Sequence, residues 1–586
     1  MKAMLFHLVQ VAVMQVMLYV LVPAWTLVRL RWRNAGEGLF AALVAGAGSA
    51  ALLGRICDGT GIGAGMALGI WLAGWIVAGV LIRRKKRAAD FPKLDWLLLA
   101  MLLLAWVVRT IHPLQTWALG QSDAYSHLGF LMDVLKRGQV GNPEYPPAYS
   151  WVLAFPAWLI ADHPYWVARF GGAFFGAGLA LGVYALLAQV RSRAAGLAAA
   201  ALVAGCPAFF LLQKTGVGCY ANQLGLLLIP AALWAYAAGR RGWLALALAA
   251  LAVTVPMMLL HVVILLAILI LFDREAGRSR LALLALLVMA FLLVLGISLL
   301  RPAEDGLRIA WALTGRSDLA QQPGAGWDVV LRTLAVDFVS FKRIGYASGI
   351  LNGLALTTMV VFALALAGGW RRRDAAWQLV GAWGLLASVN VHFGLLQFTN
   401  YQREGWSLLI AAAAFGSLAF GALWRRWDRR GGHYLLGAGL ALTAAVGLVF
   451  PPKHLIAAGQ AESDVVQYLL PLNPAVTVLA RDMSAFESGQ GDVVRTLHPN
   501  VVFSERELAA AIKPVYFLRD HPPAAPAVSR VMQILQPALT TVNEEAMKRA
   551  EADNRRLENM LAGYEQYRIC VSPHLEVWQI WRKPSE

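Results

Sequence analysis

Long apolar runs alternate with short arginine-rich clusters over the first 450 residues, and this alternation constrains the fold more than any other feature. The strongest cluster is the RRKKR run at 83–87. About 20 apolar residues span a bilayer as a helix, and clusters of positive charge stay on the cytoplasmic side. The hydrophobic share of 59% exceeds that of ordinary soluble domains. We predict a polytopic α-helical membrane protein, embedded in a lipid bilayer, with about 14 helices.

The net charge of +17 does not indicate a nucleic-acid partner. The basic residues lie between the apolar runs, where they act as topology determinants. The four cysteines, Cys57, Cys206, Cys219 and Cys570, show neither metal-ligand spacing nor a paired framework. We therefore expect no nucleic acid and no cysteine-based metal site.

The arginine clusters divide the chain into three parts. Residues 1–90 contain three extra N-terminal transmembrane helices, and residues 91–450 form a core with two outer loops, 111–165 and 301–345. Within this core we expect a hairpin near Pro256, and the 147–161 run is too short to span, so it re-enters the membrane or lies in the interface. We predict a multi-pass protein of the inner, cytoplasmic membrane, with its active site on the periplasmic face.

The third part, residues 451–586, is more charged and has no long apolar run. Short β-like runs occur at 476–479, 515–518 and 575–581, and a helical pattern at 543–567. These runs predict a soluble α/β domain on the extracytoplasmic side.

The unusual polar residues collect in the predicted outer loops. One loop holds Asp123, His127, Glu144 and Tyr145 between two apolar runs, although an amphipathic helix resting on the bilayer would show the same pattern. A transporter would place polar groups near the middle of the membrane. His261 is the one candidate of that kind, and a lone histidine near a helix end is more often a packing residue.

Two motifs carry a family resemblance. SDAYSHLGFLMDVLKRGQ at 122–139, followed by YPPAYSWVLAFP at 145–156, resembles the first outer loop of oligosaccharyltransferase catalytic subunits. More broadly, it is similar to the GT-C superfamily of polyprenyl-phosphate-sugar-dependent glycosyltransferases. NYQREG at 400–405 resembles the family segment whose arginine meets the lipid phosphate. The resemblance implies a GT-C-like transmembrane core.

The chain also departs from oligosaccharyltransferases. KTGVGCYANQ at 214–223 falls where those enzymes carry an acidic, metal-binding pair, but Asn222 and Gln223 are neutral amides. Hard divalent cations prefer carboxylate oxygens. The C-terminal part also lacks the signature that holds a glycosylation sequon. We therefore expect no cofactor and no required metal, and we do not expect asparagine glycosylation.

Glycosyl transfer needs a base for the acceptor hydroxyl and positive charge for the leaving phosphate. Asp123 is the predicted catalytic base, with Glu144 second, because partial burial raises a carboxylate pKa toward neutrality. Arg403 is assigned to the phosphate, with Lys214 assisting, since a guanidinium can donate two hydrogen bonds to it. Alternatively, Arg403 is a helix-end charge that reaches the headgroups. The predicted substrate-binding residues are His127, Tyr145, Lys214, Tyr220, Asn222, Gln223, His261, Tyr401, Arg403 and Glu404.

These assignments predict an inverting glycosyltransferase with a polyprenyl-phosphate-linked sugar as donor and a lipid-linked or cell-surface glycan as acceptor. Two alternatives remain open at this stage. A lipid or glycan flippase would carry polar residues deep in its helices. A glycan polymerase or ligase would use a pyrophosphate-linked donor, with paired arginines and a histidine that the 301–345 loop and His392 could supply.

Overall fold

The structure, a computed structural model, describes the chain in segments. These are residues 2–28, 30–58, 60–85, 92, 95–115, 117, 119, 124–141, 145–205, 220–272, 349–393, 401–424, 466–472, 476–479, 497–498, 500–502, 508, 515–520, 548, 551–571 and 575–582. Some side chains within them, among them those of 220, 349–356, 391–393 and 401–406, lie outside the description.

Helices dominate the described part. In chain order they are α1 (Lys2–Val16), a π-helical turn (Met17–Leu21), α2 (Val22–Leu27), α3 (Ala35–Cys57), α4 (Ala64–Lys85), α5 (Trp96–Gln115), α6 (Ala124–Arg137), α7 (Ala148–Ile160), α8 (Tyr165–Val190), α9 (Arg193–Gly205), α10 (Tyr220–Ala237), α11 (Arg241–Thr254), α12 (Pro256–Phe272), α13 (Gly349–Arg372), α14 (Ala375–Phe393) and α15 (Tyr401–Trp424).

Four of the described helical stretches are long and apolar enough to cross a membrane, by length and composition. They cover Lys2–Leu27, Ala35–Cys57, Ala64–Arg84 and Tyr165–Val190. With the apolar composition, they support a multi-pass membrane protein. The predicted total of about 14 helices is not confirmed, because parts of the chain such as 273–348 and 425–465 lie outside the described residues.

The three N-terminal spans pack directly on the helices that follow. Small residues in α3 allow close approach: a Cβ added at Gly46 would lie 2.8 Å from the Cα atom of Tyr19 in the π-helical turn. The Tyr19 hydroxyl in turn donates to the backbone carbonyl of Val152 in α7. The N-terminal helices are therefore an integral part of the bundle.

Helix α8 is the most enclosed element of the bundle. Almost every residue from Tyr165 to Ala188 is buried, and α1, α3, α5, α9 and α10 pack around it. Residues 148–157 of α7 are buried as well. Both alternatives for this short apolar run, re-entrant or interfacial, are compatible with its burial against other helices.

Charged turns meet at one end of the bundle. Asp95 pairs with Arg193 at 2.6 Å, and Arg191 pairs with Asp374 at 2.8 Å. At the same end, the side chain of Asn34 caps α3 by accepting from the Glu37 amide at 2.9 Å. These residues come from turns that the arginine clusters predicted to share the cytoplasmic side, so the structure brings that set of turns together.

The C-terminal part contains a mixed five-stranded sheet. Its strands are β1 (Thr477–Leu479), β2 (Val501–Val502), β3 (Val515–Asp520), β4 (Tyr564–Val571) and β5 (Leu575–Arg582), in the order β2-β1-β3-β5-β4. β1 is parallel to β2 and β3, whereas β5 is antiparallel to β3 and β4.

The three strand-like runs predicted from the sequence coincide with β1, β3 and β5. The helical prediction for 543–567 is wrong at its end, because the helix described at 551–560 stops and β4 begins at Tyr564. Val478, Leu497 and Val577 belong to the same apolar core as the helices. The backbone at Val255, with φ −145° and ψ 82°, interrupts the helix beside Pro256, and the hairpin expected there stays a prediction.

Candidate functional site

Helix α6, which follows the predicted catalytic loop segment, is amphipathic and buries one face. That face contains Ala124, Tyr125, His127, Leu128, Leu131 and Val134. It packs on α7 and α8, so the amphipathic pattern reflects burial against protein and not a helix resting on the bilayer. His127, at 2% exposed, lies inside the protein.

His127 contacts the segment that precedes α7. Its Nε2 lies 3.2 Å from the Tyr145 hydroxyl, within hydrogen-bonding distance. The Tyr145 ring packs on Phe130, with the ring centroids 4.7 Å apart, and Tyr149 lies edge-on to the imidazole at 5.8 Å. These contacts join the start of α6 to the start of α7.

The two predicted catalytic carboxylates, Asp123 and Glu144, lie outside the described residues. In the chain, Asp123 directly precedes α6 and Glu144 directly precedes Tyr145. The structure therefore brings together the described neighbours of both residues, through the His127–Tyr145 contact.

The turn between α3 and α4 supports the same region. Asp58 Oδ1 accepts from the Val140 amide at 2.9 Å and from the Trp151 indole nitrogen at 3.2 Å. Gly138, with φ +68°, lies so close to Ile62 that an added Cβ would be 2.6 Å from its carbonyl oxygen. A side chain at Gly138 would thus be excluded by both backbone conformation and space. The extra N-terminal helices hold the connection between α6 and α7.

A buried arginine holds the end of α5, the helix that leads into the Asp123 segment. Arg169 of α8 donates from Nε to the Pro113 carbonyl at 3.1 Å and from an Nη to the Trp117 carbonyl at 2.6 Å. The same Nη donates to the Tyr165 hydroxyl at 2.8 Å, and that hydroxyl donates to Trp117 as well. The guanidinium thus bonds one carbonyl in the last turn of α5, which lacks a donor within the helix, and one carbonyl in the chain just after the helix.

A second buried arginine holds the end of α9. Arg109 of α5 donates to the carbonyls of Val203 at 3.2 Å and Ala204 at 3.3 Å, and to the Ala105 carbonyl at 2.9 Å. α9 ends at Gly205, and the chain then enters the segment with Lys214, which lies outside the described residues.

Sequence reasoning missed both arginines, which are buried polar side chains in the bundle, as His261 is. Arg109 and Arg169 are 5% and 1% exposed within apolar helices. Their position away from the basic clusters is a signal the sequence already contained, because an arginine inside an apolar span usually has a specific partner.

Asn222 and Gln223 are buried near the start of α10. Gln223 lies against Gly172 of α8, where an added Cβ would collide with its side-chain amide. Tyr220 begins the same helix, and its side chain lies outside the described part. The buried amides offer no carboxylate oxygen, so their chemistry does not fit the divalent metal that the family resemblance would place here.

His261 belongs to a buried polar network that joins three helices. Its Nε2 lies 3.3 Å from the Ser407 hydroxyl of α15, and Ser407 accepts from the Trp383 indole of α14 at 2.8 Å. Tyr401, Arg403 and Glu404 lie in the first turn of α15, and their side chains are outside the described part. Arg403 precedes Ser407 by four residues, so the two positions share a face of the helix.

The turn between α7 and α8 meets the C-terminal domain. The pKa of His163 is lowered below 6.5, mainly because the ring is buried. The positive charge of Lys136 lowers this pKa further. The negative charge of Asp162 and a hydrogen bond to the Leu497 backbone raise it, but by less than burial lowers it. The His163 Nδ1 accepts from the Tyr165 amide at 3.2 Å, which favours the neutral ring. The domain thus contacts the bundle at the start of α8, close to Arg169.

Among the residues that the structure describes, no three His, Cys, Asp or Glu side chains gather as a metal site would require. Asp123, Glu144, Glu304 and Asp305 are not in that set. The expectation of a metal-independent protein therefore stays a prediction.

No protein-family profile and no curated protein matches the chain. Solved structures that are similar to it include the following three. One is the Archaeoglobus fulgidus oligosaccharyltransferase in complex with zinc and sulfate, at TM-score 0.44 and 14% identity over 82% of this chain and 72% of that chain. Another is the oligosaccharyltransferase AglB of the same organism with an inhibitory peptide and a dolichol-phosphate. Its TM-score is 0.42 and its sequence identity 12%, over 80% of this chain and 72% of that chain.

The third is ArnT from Cupriavidus metallidurans bound to undecaprenyl phosphate, at TM-score 0.33 and 12% identity over 82% of this chain and 97% of that chain. All three structures are of GT-C glycosyltransferases, the class that the sequence motifs resemble. At TM-scores of 0.33–0.44 and identities of 12–14%, these matches do not establish the activity of this chain.

Proposed function

We propose that this chain is an integral-membrane, inverting glycosyltransferase. Its donor is a sugar linked to polyprenyl phosphate, and its acceptor is a hydroxyl of a lipid-linked or cell-surface glycan on the outer face of the membrane. The observation that carries the proposal is the His127–Tyr145 contact at 3.2 Å, because it ties the neighbours of Asp123 to those of Glu144.

The reaction is a single displacement. Asp123 takes the proton of the acceptor hydroxyl as the hydroxyl oxygen bonds to the sugar C1. The bond between C1 and the phosphate oxygen breaks, and its electron pair leaves with polyprenyl phosphate. Arg403 and Lys214 hold that phosphate, and Asp123 returns its proton to solvent. A monophosphate leaving group needs less neutralisation than a pyrophosphate, which agrees with the neutral Asn222 and Gln223 at the position where oligosaccharyltransferases carry an acidic pair.

Asp123 is proposed as the base because it directly precedes α6 in the chain, and the buried face of that helix contains His127. Partial burial of a carboxylate would raise its pKa toward neutrality and improve it as a base at physiological pH.

The Trp383–Ser407–His261 network supports the role of Arg403. It fixes the first turns of α15 against α12 and α14 from inside the bundle. A phosphate-binding arginine benefits from such a fixed helix, because its two parallel hydrogen bonds require a defined orientation.

The proposal assigns a role to each of the three parts of the chain. Residues 1–90 brace the catalytic outer loop at 111–165, residues 91–450 bind the donor lipid, and residues 451–586 cover the site from the periplasmic side. The outer loop at 301–345 lies outside the described residues.

Three donors distinguish this proposal from its alternatives. Purified protein in lipid nanodiscs is incubated with polyprenyl-phosphate, polyprenyl-pyrophosphate or nucleotide sugars and a glycolipid extract, and products are followed by mass spectrometry. We expect release of polyprenyl phosphate and a glycolipid gaining one sugar from the first donor alone. Turnover of the pyrophosphate donor instead would indicate a polymerase or ligase and would overturn the proposal.

A lipid or glycan flippase is the second candidate, favoured by the buried Arg109, Arg169 and Gln223 along α8. A flippase moves a labelled lipid across a proteoliposome bilayer without changing its mass. Translocation without any mass change would favour it over the transferase.

A further inference from the structure

Two arginines inside the bundle make the same kind of contact with two different helices. Arg169 bonds the carbonyl of Pro113 in the last turn of α5 and that of Trp117 just beyond it, and Arg109 bonds those of Val203 and Ala204 in the last turn of α9. In both places the cation meets the last turn of a helix, where the helix dipole is negative.

The burial of these two guanidinium groups calls for a specific role. Removing a charge from water is costly, and it is tolerated when several charge-assisted hydrogen bonds replace hydration. An ordinary helix end needs no such arrangement, because water or a tightened last turn satisfies its carbonyls. A buried cation at each end instead fixes the direction in which the chain leaves the helix.

Both arginines lie along one face of α8. Arg169 belongs to α8 itself, and the side chain of Arg109 fills the space beside Gly176, where an added Cβ would collide with it. Positions 169 and 176 are seven residues apart, which is about two turns, so they share a face. α8 therefore links the two helix ends.

Each end leads into one of the segments that the proposed function uses. The chain passes from Trp117 to Asp123 in six residues and from Gly205 to Lys214 in nine, counted on the sequence. We propose that Arg169 and Arg109 are positioning residues that fix the direction in which the chain leaves α5 and α9, toward Asp123 and Lys214 in the sequence. The link to catalysis rests on the proposed function, whereas the fixing of the two exits does not.

Hydrogen exchange tests the positioning directly. The full-length protein in nanodiscs is compared with Arg169→Met and Arg109→Met, and with Arg371→Met as control, since Arg371 is exposed at the end of α13. We expect Arg169→Met to speed amide exchange at 116–123 by about tenfold or more and to leave 206–219 unchanged. Arg109→Met should do the reverse, and the control should change neither.

The proposal would be overturned if either methionine variant changed amide exchange equally in 116–123 and 206–219. It would also be overturned if Arg169→Met left exchange at 116–123 unchanged, or if Arg109→Met left exchange at 206–219 unchanged. Arg169→Lys and Arg109→Lys keep the charge but lose the planar fork, so they should show the same selectivity with smaller amplitude. If a methionine variant does not fold, the lysine variants replace it in the experiment. Amide exchange at the parent rate in both lysine variants would then contradict the proposal.

Turnover separates this inference from the proposed function. Arg169→Met should lower kcat for sugar transfer while the KM for the lipid donor changes little, because the phosphate contacts of Arg403 stay intact, and Arg169→Lys should recover part of kcat. Selective exchange with an unchanged kcat would support the fixed exit but would remove the Asp123 segment from the chemistry.

Discussion

At the scale of single residues, the assignment of Asp123 as base makes a direct kinetic prediction. Asp123→Asn keeps the shape of the side chain and removes its ability to accept a proton. Loss of general-base catalysis should lower kcat by about 100- to 10,000-fold, with little change in the affinity for the lipid donor. The measurement is steady-state transfer by purified protein, with donor binding measured separately.

Asp133→Asn is the matched control on the same outer loop. Asp133 accepts from the Gly141 amide at 3.0 Å, and an asparagine oxygen can keep that bond, so this variant should retain near-parent activity. Near-normal turnover by Asp123→Asn would exclude Asp123 as the base and shift the assignment to Glu144.

Arg403 should contribute both to donor binding and to turnover. Hydrogen bonds to charged groups are worth about 1.5–3 kcal/mol, so Arg403→Ala should weaken donor binding by roughly 10- to 100-fold. Arg403→Lys should recover only part, because a point charge cannot replace the bidentate contact. Unchanged donor affinity in titrations of Arg403→Ala would instead assign Arg403 to the membrane interface.

The sequence predicted some site residues better than others. The clustering of His127 and Tyr145 on one loop could be predicted, and the structure places them in contact. Arg109 and Arg169 could not be assigned, since their partners are backbone carbonyls of neighbouring helices and carbonyls leave no mark on the sequence.

At the scale of elements, the packing of α3 against the π-helical turn predicts a stability difference between two glycines. Gly46→Ala would place a Cβ 2.8 Å from the backbone Cα of Tyr19, which cannot move as a side chain could. Overpacking of this kind typically costs about 1–3 kcal/mol. We expect a lower midpoint for Gly46→Ala in thermal unfolding of the detergent-solubilised protein.

Gly74→Ala in α4 is the control for this prediction. No heavy atom lies within 4 Å of its added Cβ, so only the helix propensity changes, in favour of alanine by about 1 kcal/mol. Equal midpoints for Gly46→Ala and Gly74→Ala would show that the π-helical turn yields to the methyl group and does not fix α3.

The sequence defined the apolar helices well and the sheet only in part. β1, β3 and β5 contain apolar runs, which a period-two pattern reveals. β4 reads YEQYRICV, with polar and exposed residues over most of its length, and the irregularity between Arg568 and Cys570 breaks its register with β5. Only pairing with β5 makes this stretch a strand, so local pattern could not distinguish it from the helix before it.

At the scale of the whole molecule, the arginine clusters predict which faces are accessible from outside the cell. After replacement of the four native cysteines, a membrane-impermeant thiol reagent should label Ser122→Cys in intact cells. Gly431→Cys should react only after permeabilisation, because it follows the last arginine cluster. The opposite pattern would place the Asp123 segment in the cytoplasm, next to nucleotide-sugar donors, and would contradict the proposed donor.

The contact between the α7–α8 turn and the C-terminal domain should depend on pH through His163. Its pKa is lowered in the folded protein, mainly by burial, from the ordinary value of 6.5. Between the folded pKa and 6.5 the unfolded chain binds more protons, so the contribution of neutral His163 to stability is complete above 6.5 and is lost as the pH falls to the folded pKa. Protonation also removes the acceptor that His163 Nδ1 offers to the Tyr165 amide.

His163→Asn keeps an acceptor for the Tyr165 amide and cannot titrate, so it isolates this effect. We expect the unfolding midpoint of the parent to fall more than that of His163→Asn between pH 7.5 and 5.5, by about 1–3 °C for a chain of this size. Thermal unfolding in detergent at both values measures the difference, and Asp162 and Lys136, the charged groups that face the ring, stay unchanged in both proteins. Equal losses would show that the imidazole is not what makes this contact sensitive to acid, and would leave the apolar contacts of Val478, Leu497 and Val577 as pH-independent support for the docking of the C-terminal domain.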